Sequence, residues 1–130
     1  MTSAAASGTA APVDVAAMRR TAAKLLGPDD GPEALPPAPA ELAVLTAELR
    51  SHLERLIPEV ERIARREPAD SGPKFCALAC IGEAERKLRS GDGATPAVRV
   101  AMARKLARSL NALCEHHEKL GARAPAAEPS

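Results

Sequence analysis

The strongest folding instruction in the chain is a row of aliphatic side chains, Leu42, Leu45, Leu49, Leu53, Leu56, Ile57, Val60, Ile63 and Ala64, spaced by threes and fours. A half-buried strand would need alternation at every second residue, whereas this rhythm gathers all nine side chains on one side of a helix. One long helix is therefore expected from about Ala40. Pro58 falls inside it, removing the hydrogen bond to the Glu54 carbonyl and crowding the preceding turn. Because the aliphatic row stays in phase across the proline, the pattern predicts a kinked helix and not a loop.

Such a helix must bury its row against others, and three further segments carry the matching signals. Asp14 is suited to cap a short helix that Gly27 closes, with Val15, Met18, Ala22, Leu25 and Leu26 on one face. Residues 28–39, with five prolines and Asp29, Asp30 and Gly31, form a stiff linker. After the breaker Glu67-Pro-Ala-Asp-Ser-Gly-Pro73, a helix runs to about Ser90 with Ala77, Ile81, Ala84 and Leu88 as its main stripe. Phe75, Ala79 and Gly82 line a nearly opposite face of the same helix. Its first half thus reads as buried on two sides, either under the first helix folded back or under a second copy of the chain. Thr95-Pro96 opens a last helix, with Met102, Leu106, Leu110, Leu113, His117 and Leu120 on one side and Gly121 at its end.

The expected fold is all-α, a small antiparallel helical bundle of three long helices, the first of them kinked at Pro58, joined by a short N-terminal helix. Residues 13–121 form the single domain, with 1–12 and 122–130 as disordered tails. At 130 residues and 45% apolar content, one core is what the length allows.

Composition narrows the function more than it names it. A formal net charge of +1, with both signs interleaved, supplies no field that would draw nucleic acid or anionic lipid. Phe75 is the single aromatic residue, which argues against ligand classes held by ring stacking. Three cysteines do not make a paired secretory framework, and the N-terminus has neither early basic residues nor an apolar stretch typical of a signal peptide, so a reducing cytoplasm is expected. No apolar run approaches the roughly 20 residues of a membrane span.

Cys76 and Cys80 on the third helix, with Cys114 and the His116-His117 pair on the fourth, are the residues most suited to chemistry, because thiolate and imidazole at helical spacing can hold zinc. Helix register opposes a four-ligand site. In an antiparallel hairpin of the third and fourth helices, Cys114 lies level with Gly72, about 12 Å along the axis from Cys80 and about 6 Å from Cys76. Buried cysteine packing as a small hydrophobe is the reading preferred, with a metal or small-ligand site of Cys76, Cys114 and His117 as the alternative. His117 is read as stabilising the carbonyl end of its helix. Ser51 and His52 are adjacent on a helix and point about 100° apart, so they do not make a nucleophile and base. Arg99, Arg104, Lys105 and Arg108, with Lys87 and Arg89, form the basic stretch on which a DNA-binding accessory would depend. No nucleophile elbow, phosphate loop or dinucleotide fingerprint is present.

Three segments, Leu49-Arg-Ser-His-Leu-Glu-Arg-Leu-Ile-Pro-Glu-Val-Glu61, Cys76-Ala-Leu-Ala-Cys-Ile-Gly-Glu-Ala84 and the run from Ala103 to His117, resemble a family of small actinobacterial proteins of unknown function, commonly titled "natural product biosynthesis protein". The resemblance spans about residues 13–121. It implies a setting in secondary metabolism and carries over no functional residue. The resulting expectation is a non-enzymatic accessory or protein-interaction protein without a cofactor. Its partner would be another protein or a second copy, met through Phe75, Ala79 and Gly82.

Overall fold

A computed structural model describes residues 13–127, apart from Asp29, Asp30 and Glu33, with side chains described through Ala122. The tail expected over residues 1–12 lies outside this range, as do residues 128–130. Four helices make up the described chain: α1 (Val15–Leu26), α2 (Pro39–Ala64), α3 (Gly72–Arg89) and α4 (Pro96–Ala127). The described residues include no strand.

Each helix begins where its capping chemistry allows. The Asp14 carboxylate accepts from the Ala17 amide at 3.0 Å, the Ser71 hydroxyl from Lys74 at 3.1 Å, and the Thr95 hydroxyl from Val98 at 3.2 Å. α2 has no side-chain cap and opens instead on Pro39, whose missing amide costs nothing in a first turn. α1 stops at Gly27, which takes φ +78° while its amide bonds the Ala23 carbonyl.

All nine residues of the aliphatic row of α2 are buried. α2 also continues unbroken through Pro58, which lies on its exposed side. α1 buries Met18, Thr21, Ala22 and Leu25, and α3 buries Ala77, Ile81 and Ala84. α4 contributes Ala103, Leu106, Ala107, Leu110, Leu113, Cys114 and Leu120, and it and α2 each contact all three other helices. One aliphatic core results, and it holds Cys114 as a packing residue, with Cys80 partly buried against it.

Two sequence expectations need correction. α4 does not end at Gly121 but runs to Ala127, because a glycine inside a helix costs only about 1 kcal/mol and the residues after it are rich in alanine. The α3 face of Phe75, Ala79 and Gly82 is not buried within the chain. α1 packs on α4 and α2 and does not touch α3, so Phe75 stays 72% exposed. The reason lies in α1's tethers. Arg19 of α1 meets Glu118 of α4 at 2.7 Å, and Arg104 of α4 donates to the Leu25 carbonyl at 3.4 Å and, in the linker, to the Ala34 carbonyl at 2.7 Å.

Candidate functional site

Arg50 organises one end of the molecule. From α2 it donates through Nη1 to the Leu88 carbonyl at 3.0 Å and through Nη2 to the Ser90 carbonyl at 2.9 Å. Its Nε and Nη2 also reach Asp92 Oδ1 at 3.0 and 2.7 Å. A planar guanidinium suits this task, since several donors in fixed directions meet the unpaired carbonyls at a helix C-terminus. The turn beyond α3 is thereby pinned. Gly93, at φ +117°, completes it, and a Cβ there would come within 2.6 Å of the Val98 side chain.

Beside this turn lies a cavity of about 430 Å³ between the proline-rich linker and the first turns of α2 and α4. Pro36, Pro37 and Pro39 form one wall and Leu42, Ala43 and Val100 supply further apolar surface, while Thr46, Asp92 and Arg99 are the polar lining. The Thr46 hydroxyl donates back to the Leu42 carbonyl, and Arg99 spends its Nε on the Gly93 carbonyl at 3.2 Å. The pocket was invisible in the sequence because its wall is a linker, held in place through the Ala34 carbonyl by Arg104.

The residues singled out from the sequence are scattered. Cys76 is exposed on α3, Cys80 half-buried and Cys114 buried, and all three are free thiols. Burial pushes the Cys114 thiol up to about 11 against the opposing influence of Arg19, and it raises Cys80 against Lys87. A thiol held in its protonated form is a poor nucleophile and a poor metal ligand. His117 lies ten residues before the end of α4 and not at its terminus; its Nε2 is 3.9 Å from Glu59 Oε2. Cys76, Cys114 and His117 are not gathered together, and among the described residues no three His, Cys, Asp or Glu side chains form a metal-ligand group.

His52 instead joins α1 to α2. Its Nε2 is 3.3 Å from the Thr21 hydroxyl. Because that hydroxyl donates to the Ala17 carbonyl, the imidazole is the donor in the pair. Burial lowers the His52 pKa, opposed by Glu48. Ser51 is exposed and takes no part.

The basic stretch divides among separate tasks. Arg104 is bound to linker and α1 carbonyls, Arg99 lines the proline-walled cavity, and Lys87 donates to Ser109 at 2.7 Å. Lys87, Arg89 and Lys105 do share an open groove of about 510 Å³ with Arg86, while Arg108 is exposed outside its lining. Elsewhere along α3, Phe75, Cys76 and Ala79 face solvent, and nothing lies within 4 Å of where a Gly82 Cβ would stand. No helix of the described chain is long and apolar enough to cross a membrane.

No curated protein and no solved structure matches the chain. The sequence model of DUF6415, a family of unknown function, matches residues 16–122, from the first turn of α1 to just past Gly121. That span takes in the linker, the Arg50 clamp and the core positions of all four helices, and the chain belongs to this family.

Proposed function

We propose that the chain is a non-enzymatic accessory protein that acts by helix-to-helix contact through the outer face of α3, with a second copy of itself as the partner. The observation that carries this reading is Phe75, the single aromatic residue, standing 72% exposed above exposed Ala79. Phe75, Ala79, Gly82 and Arg86 follow one another at spacings of four, three and four, the seam of a coiled-coil pair. In an antiparallel pairing of two α3 helices, Ala79 opposes the partner's Gly82, letting the backbones approach, and Phe75 opposes the partner's Arg86, a cation–π contact. The family resemblance supports an actinobacterial setting in secondary metabolism, and three free thiols support a reducing cytoplasm.

The same proposal reads consecutive long helices as antiparallel, with a bend of α2 at Pro58. Support comes from Arg50, which reaches from the middle of α2 to the end of α3, and from the amide that Pro58 lacks. Light scattering across a concentration series tests the contact. The expected result is a dimer that Phe75→Asp converts to monomer with unchanged helix content and melting. A chain that is monomeric throughout the series sinks the reading.

A further inference from the structure

The cavity walled by the proline-rich linker has the features of a ligand site, and it lies apart from the α3 face. Its volume of about 430 Å³ falls within the roughly 300–1,000 Å³ of small-molecule pockets, and most of its lining is aliphatic. Charge at its rim then selects the ligand. Asp92 is already matched by Arg50, through contacts of 2.7 and 3.0 Å. Arg99 is held by the Gly93 carbonyl through Nε alone, and among the described residues its two Nη nitrogens have no partner. One cationic fork is therefore left to meet an oxyanion at the mouth of an apolar chamber.

The first turns of α2 and α4 both contribute lining residues, so the positive ends of two helix dipoles add to the same preference. Glu41, in the first turn of α2, opposes it but does not line the cavity. The walls are held before any ligand arrives: Arg104 fixes the linker through the Ala34 carbonyl, and Arg50 fixes the turn that carries Asp92. Preorganisation of this kind lowers the ordering cost of binding.

From this arrangement we infer that the cavity binds a small monocarboxylate with an aliphatic body, its carboxylate on the Arg99 guanidinium and its body against the prolines, Leu42 and Val100. The inference does not depend on self-association through α3, since Phe75→Asp leaves this end of the molecule untouched.

The test is amide NMR titration of the full chain with octanoate, with octanamide as the uncharged analogue and inorganic phosphate as the anion without a body. Octanoate at low-millimolar concentration is expected to shift the amides of Thr46, Arg99 and Val100. Arg99→Gln should weaken it about fivefold or more, and octanamide should bind the native chain correspondingly less well. Ala43→Phe fills the chamber from an exposed helical position, and it should abolish the shifts while leaving the melting temperature unchanged. Equal binding of octanoate and octanamide, indifference to Arg99→Gln, or equal shifts with phosphate would each overturn the proposal. So would an absence of shifts at these three residues.

Discussion

Arg50 sits on α2, yet everything it holds lies at the end of α3 and in the turn beyond. Asp92 is 57% exposed, so the ion pair itself contributes little and the two carbonyl contacts supply most of the stabilisation. Arg50→Ala is expected to cost about 2 kcal/mol in urea unfolding, and Arg50→Lys to recover only part, because one ammonium cannot reproduce the fork. His52 gives the fold a pH dependence. Burial lowers its pKa below 6.5, and His116 is lowered for the same reason. Well above pH 6.5 both imidazoles are neutral, folded or unfolded. As pH falls through that value the unfolded chain takes up protons more readily, so stability is lost. Thermal melts should therefore fall between about pH 6.5 and 5, and His52→Gln should flatten part of the decline. Glu59, held low by its hydrogen bond to Arg62, acts only in a more acidic window. None of these roles could be read from residue type. An arginine whose targets are backbone carbonyls leaves no periodic trace, and the tethers of Arg104 to the linker were hidden for the same reason.

At the scale of helices, the sequence was most legible where burial is one-sided. Every residue of the aliphatic row in α2 is interior, since a three-and-four spacing admits one geometry. The caps at Asp14 and Thr95 each accept an amide in the following turn, because short oxygen-bearing side chains have one obvious use before a helix, and Ser71, not singled out in the sequence, does the same for α3. Two features were less legible. Gly121 looked like a stop and is not, since a glycine terminates a helix only where the following residues leave it. The second face of α3 is not covered by α1, one of the two covers the sequence left open, because an apolar face on a helix does not by itself say which element meets it. A prediction belongs here. Asp14→Ala removes the cap of a helix of 12 residues and should cost about 1 kcal/mol, with amide exchange rising in α1 well before α2, α3 or α4 respond.

The molecule as a whole is arranged around α4, whose inner stripe meets every other helix. Leu110, fully buried on that stripe, is expected to cost about 3 kcal/mol when cut to alanine, and circular dichroism should show all four helices lost in one transition. Helix count and core membership were available from the sequence because they depend on local periodicity. Which helix α1 would cover was not, for α4 and α3 both offered apolar faces and the Arg19 and Arg104 contacts that tie α1 to α4 leave no periodic trace. The proline-walled cavity belongs to the same category, since it exists only after the linker has been drawn down.

That dependence on α4 has a consequence for how the chain is made. The ribosome releases α1, α2 and α3 before α4, so the greasy side of each stays partly uncovered until the helix that packs on all three has followed. A polypeptide cut short near residue 95 would keep the contacts of α2 with α1 and α3 but leave bare the surface that α4 shelters, an invitation to proteases.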